Sequence, residues 1–175
     1  MPECRRTAAI PLVAVRLQGD DDAYRSFLVD LESGKPTEAL PLLRKAVQET
    51  RYNPLIAALF GHALIATENP ANFAEAKSVL RTAIQRDNRN PFAWYQLGTI
   101  YAQEGDQPRA SLATAERYNL EGAAVPALTN AQMAMRGLPK QSNDWVRAQD
   151  IVLVSRAAID DDPKLRRKYK PKSDE

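Results

Sequence analysis

The chain is poor in the residues from which most reactive sites are built. Its 175 residues include one cysteine, Cys4, and one histidine, His62. A lone cysteine cannot close an internal disulfide, so nothing in the fold depends on an oxidising compartment. Cys4 lies outside any visible helix start and reads as an inert thiol rather than a nucleophile. A single imidazole, with no second histidine to help it, does not make a zinc site. No GxxxxGK[ST], GxGxxG or GxSxG occurs, which removes the usual phosphate loops and the nucleophile elbow. The acidic triplet Asp160, Asp161 and Asp162 lacks the glycine and distal glutamate of a calcium loop and reads as a solvated helix stop. No apolar run approaches the roughly 20 residues of a membrane-spanning helix. The opening MPECRRTAAIPLVAV sets two arginines before a short apolar stretch. Pro11 interrupts that stretch and no small-x-small cleavage site precedes Arg16, so it reads as a non-targeting leader. These absences leave no enzyme hypothesis standing, and no cofactor is expected.

What the chain does contain points to helices. Hydrophobic residues make up 44% and charged residues 26%, ordinary values for a folded chain. Alanine, leucine, arginine and glutamine are plentiful, and all are good helix formers or tolerated ones. The net charge of +2 is unevenly spread. Residues 163–175 hold six basic and two acidic residues, a net of +4, which leaves −2 for the rest. Apolar residues at three-and-four spacing, punctuated by Gly, Pro and Asn, predict a series of helices. They fall at residues 20–31, 37–50, 54–67, 73–86, from Pro91 to a turn at Gly105, at 108–121, 124–135 and 144–159. Residues 1–19 are expected to be a poorly ordered leader, residues 20–160 one helical domain, and residues 161–175 a disordered basic tail.

One stretch organises the rest. In PFAWYQLGTIYAQEG, Trp94, Leu97, Gly98 and Tyr101 follow the order W-x2-L-G-x2-Y, and Ala110 comes nine residues after Tyr101. The large residues line one helical face, while Gly98 lets a neighbouring helix approach its backbone. The pattern resembles the first helix of a tetratricopeptide repeat, followed by the start of the second. The period is visible elsewhere: Pro54 and Pro91 stand 37 residues apart, as do Gly61 and Gly98. Ala76 aligns with Ala110 once a three-residue insertion is placed in the loop before it, and Leu43 and Ala46 align with Leu80 and Ala83. At the first copy, Phe27 replaces the glycine and Asp30 the tyrosine, as an atypical end repeat would have it. The fold expected is all-α, a right-handed superhelical solenoid of about seven or eight helices.

The resemblance narrows further. LESGKPTEALPLLRKAV, LIAALFGHALIAT, NPANFAEAKSVLRTAI, FAWYQLGTIYAQEGD, ASLATAERYNLEG and WVRAQDI occur in that order over residues 28–151. Together they resemble the C-terminal repeat region of BepA-like zinc metalloproteases of the bacterial periplasm. Those proteases carry an HExxH catalytic helix upstream, which this chain lacks, so only a binding role could transfer. The resemblance implies outer-membrane assembly factors or substrates as partners. It also implies a periplasmic location, against a cytoplasmic one if the leader is not a signal.

In stacked repeats the first helices line the concave groove. Projecting the helical period puts Tyr24 and Leu28, then Ala58, His62 and Ile65, then Phe92, Tyr95, Thr99 and Gln103 on that surface. Gln96 is added beside Tyr95. Aromatic and small polar residues in this mixture suit a bound peptide or protein, held by pockets and a few hydrogen bonds. A lysine- and asparagine-based clamp for a C-terminal carboxylate does not fit, since Ala58, His62, Tyr95 and Gln96 occupy the comparable places. The alternative reading places function in the tail. Lys164, Arg166, Arg167, Lys168, Lys170 and Lys172 with Tyr169 could bind nucleic acid or anionic lipid, though a solvated terminus is the plainer reading. A third reading is weak self-association through apolar surface at an unfinished end.

Overall fold

The computed structural model describes residues 36–169. The expected leader, the helix at 20–31, and the candidate residues Tyr24 and Leu28 lie outside them. Among the described residues there are eight α-helices and no strands. They are α1 (Pro36–Glu49), α2 (Pro54–Ala66), α3 (Phe73–Arg86) and α4 (Pro91–Gln103). Then come α5 (Gln107–Leu120), α6 (Ala124–Gly137), α7 (Asn143–Asp161) and α8 (Pro163–Tyr169). A single 3-10 turn, Pro70–Asn72, leads into α3.

The helix starts are set by side chains that accept otherwise orphaned backbone N–H groups. Asn53 Oδ1 accepts from the Leu55 amide at 3.0 Å. Asn90 Oδ1 accepts from Phe92 and Ala93 at 3.0 and 3.2 Å. Asp106 accepts from Arg109 at 3.2 Å, and Ser142 Oγ from Trp145 at the same distance. Proline is the first residue of α2 and α4 and the second of α5, where its missing N–H costs nothing.

Three helix ends share one closing bond, from an amide to the carbonyl five residues back. The pairs are Tyr52 to Val47, Asp106 to Tyr101 and Ala123 to Tyr118. That bond needs a left-handed residue just before the donor. Gly105 and Gly122 supply it with φ of 78° and 72°. At the end of α1, Arg51 takes the glycine's place at φ 51°, and Tyr52 follows at φ 62°. The side chain of Arg86 braces this strained pair by donating to the carbonyls of Arg51 and Tyr52. Its guanidinium also lies 6.0 Å from the Tyr52 ring centre.

Each helix packs on its neighbours in sequence, and α2 also meets α4, as α5 meets α7. Two apolar clusters result. One joins α1 to α4 and centres on Phe60, Leu64, Leu80 and Ile100. The other lies between α5, α6 and α7 and is built largely of alanine: Ala115, Ala127, Ala131, Ala134 and Ala148. Helix α5 serves both, giving Ala113 to the first and Leu112 and Ala115 to the second. Helix α2 is buried on nearly every side, which is why its sequence is almost wholly apolar.

Glycines mark the closest approaches. A Cβ on Gly61 would fall 2.5 Å from Leu80 Cγ, and one on Gly98 would fall 3.3 Å from Ala113 Cβ. Ala113, rather than Ala110, is thus the nearest side chain across from Gly98. Gly137 is the last residue of α6, two beyond the expected end, and its smallness serves a contact. A Cβ there would lie 2.3 Å from Pro108 Cγ at the start of α5.

The basic tail departs from expectation. It opens with helix α8 instead of unstructured chain, because Asp162 Oδ1 accepts from Lys164 and Leu165 at 2.8 and 3.3 Å and Pro163 fixes the first turn. Lys170 and Lys172 lie outside the described residues.

Candidate partner-binding face

Helices α2 and α4 bring His62 and Gln96 together, 34 residues apart, with Gln96 Nε2 2.7 Å from His62 Nδ1. Gln96 is 2% exposed, so its amide is fixed by the surrounding helices. With the amide nitrogen facing Nδ1, the amide donates and the neutral imidazole carries its proton on Nε2. The His62 ring meets Phe92 edge-on at 5.5 Å, a favoured aromatic geometry. Burial pushes the His62 pKa below its ordinary value.

The remaining candidates divide by exposure. Tyr95 projects with 52% of its surface free. Gln103 is exposed, Thr99 half-buried, and the Thr99 hydroxyl donates back to the Tyr95 carbonyl at 3.1 Å. Ile65 and Phe92 are partly buried and pack against the first core. Ala58 has no exposed surface at all and belongs to that core. Its projection onto the binding surface is therefore corrected: α2 is enclosed by α1, α3 and α4, and only His62 and Ile65 of its candidates reach toward solvent. Gln96 is likewise too buried to touch a partner, and acts by fixing His62.

The structure adds a residue that helical projection missed. Arg117, on α5, sets its guanidinium 5.4 Å from the Tyr95 ring centre and 4.3 Å from that of Tyr118. Arg117 lies on α5, which the projection did not include. Its spacing from Tyr95 carries no periodic signal.

Behind this face lies a second polar cluster with a structural task. Glu116 is 6% exposed and accepts from Arg147 Nε across from α7. Arg147 also lies 4.7 Å from the Trp94 ring centre, and Trp94 Nε1–H donates to the Asn88 carbonyl at 2.9 Å. Burial raises the Glu116 pKa, and the hydrogen bond from Arg147 pulls it back. The cluster ties α4, α5 and α7 together.

Chemically this face can hold a partner through ring surfaces, one guanidinium and a few amide and hydroxyl groups. Among the described residues no group of three or more His, Cys, Asp or Glu side chains is placed to hold a metal. No helix among them is long and apolar enough to cross a membrane. Compared with protein-family models and with curated proteins, the chain matches none.

Proposed function

We propose that the chain is a non-catalytic protein-binding module, a tetratricopeptide-like right-handed solenoid whose first helices offer a groove to a peptide or partner protein. The observation that carries this reading is the exposed Tyr95 ring with the Arg117 guanidinium over it, on the same helix as Phe92, whose ring meets His62. Exposed aromatics and arginine on a rigid support are the residues that most often carry interface energy. Further support comes from the one-after-another packing of the helices, with α2 against α4, as stacked repeats require. The resemblance to the repeat region of BepA-like proteases makes outer-membrane assembly factors of a bacterial periplasm the partners to try first.

The test is a photo-crosslinking residue at position 95, with the same residue at the exposed Lys45 on α1 as the control. Periplasmic and cytosolic extracts are treated separately. A discrete adduct from position 95 alone, lost when Phe92 is replaced by alanine, supports the reading and names partner and compartment together. The same smear of adducts from both positions, in both extracts, defeats it.

A further inference from the structure

Arg117 is held in an unusual state for a surface arginine. Its guanidinium carbon lies over two rings, 5.4 Å from the Tyr95 ring centre and 4.3 Å from that of Tyr118. Its Nε is buried and has no hydrogen-bond partner. The nearest carboxylate is Glu121, one turn on, at 3.9 Å from Nε, and the Glu121 side chain is 44% exposed. That distance is an ion pair without a hydrogen bond, and such exposed pairs are worth little. Elsewhere in the chain the contrast is plain. Arg44 meets Glu75 with two bonds of 3.0 and 2.8 Å, and Arg109 meets Asp106 and Asp144 at 2.7 and 2.9 Å. Each of those arginines makes two hydrogen bonds to carboxylates, at least one of them to another helix. Arg117 is packed on two rings, has no short hydrogen bond to a carboxylate, and keeps 24% of its side chain open beside the most exposed tyrosine of the proposed groove.

A planar guanidinium whose rotamer is already fixed loses little freedom when it binds, and its donors match a carboxylate. We infer that Arg117, packed on the Tyr95 and Tyr118 rings, receives a carboxylate of the bound peptide, which makes the groove selective for acidic segments. This rests on the peptide-binding reading above. The carboxylate comes within reach of the terminal nitrogens, since Nε itself is enclosed. Among the described residues its carboxylate partner is Glu121, which is held too loosely to block entry. The Tyr95 ring supplies the apolar wall that shields the new ion pair from water, and an ion pair so shielded is stronger than one in the open.

Solution NMR on the full chain tests this with three acetylated peptides built on three Ala-Xaa-Leu-Ser units. The first has Glu at Xaa and an amidated end. The second has Gln at Xaa and an amidated end. The third has Gln at Xaa and a free C-terminal carboxylate. The expected result is movement of the Arg117 Nε–H and Tyr95 ring signals with the first or third peptide, and binding at least tenfold weaker with the second. The first and third arms separate a side-chain carboxylate from a terminal one. In Arg117→Gln the preference over the neutral peptide disappears, and added salt weakens the acidic peptide alone. Arg117→Lys, which keeps the charge but not the fork, recovers only part of it. Equal shifts of Phe92 and Tyr95 by all three peptides would overturn the carboxylate inference while leaving the groove intact. No movement at Arg117 with any peptide also overturns it, whatever the crosslinking at position 95 returns. An unchanged circular-dichroism melt of both Arg117 variants establishes that the fold is not what has changed.

Discussion

Side chains on the two faces of α4 carry different loads, and substitutions there should separate cleanly. Tyr95→Ala removes an exposed ring, so its effect on the thermal melt should stay within about 0.5 kcal/mol while partner binding falls. A loss of helical signal in that variant would show the ring to be part of the core. Three residues on, the opposite holds. Gly98→Leu drives a large side chain at Ala113, whose Cβ already lies 3.3 Å from where the first atom would sit, and should cost about 1–3 kcal/mol in denaturant melts. His62 makes stability depend on pH in a defined direction. Burial lowers its folded-state pKa, so the folded chain holds the imidazole neutral while the unfolded chain takes up a proton first. Stability from this group is full above the ordinary value near 6.5 and drains away as pH falls through it toward the folded value. Glu116, with a raised pKa, works in the other sense, losing stability as pH rises. The comparison that isolates His62 is therefore wild type against His62→Gln. Urea melts between pH 7.5 and 5 should show a shallower fall on acidification in the variant; parallel curves would refute the assignment.

At the scale of the element, caps and inter-helix pairs set what each helix contributes. Asn90 accepts from two amides of α4, and Asn90→Ala should destabilise by about 0.5–2 kcal/mol, read as a lower urea midpoint with unchanged slope. Removing Arg147 leaves Glu116 buried without its donor, and also strips the guanidinium from Trp94. Because the Arg147 side chain is itself 37% exposed, water can partly replace it, and a loss of about 1–3 kcal/mol is expected rather than that of a fully enclosed pair. Arg147→Met should also recover stability at low pH, where Glu116 is protonated, and a melt series from pH 7 to 4 checks that. The helices themselves were readable from the chain. Pro-initiated starts, Asn and Ser caps and glycine stops bounded α2 to α7 to within about two residues. The exception is α8, where a run of basic residues resembled a solvated tail. The local signal, Asp162 followed by Pro163, is a cap that outweighs the composition.

For the molecule as a whole, apolar residues at three-and-four spacing were enough to read an all-helical fold, and the 37-residue recurrence of Pro54 and Gly61 at Pro91 and Gly98 falls at the starts and the buried glycines of α2 and α4. The candidate face was legible in part. Tyr95, Thr99 and Gln103 lie on accessible surface, as one helix's period can place them. Ala58 does not, because the period of α2 gives its angle but not the enclosure of the helix by α1, α3 and α4. Burial is a property of neighbours, and neighbours are not local. The same reason hid Arg117, whose partner ring belongs to another helix. It also hid the task of Gly137, which is spacing against Pro108 rather than a reversal of the chain. By itself, then, the sequence determined where helices begin and end, because caps, prolines and periodicity act within a few residues. Which faces remain open, which polar groups are satisfied, and which arginine meets a tyrosine ring of another helix were decided only when helices distant in the chain came into contact.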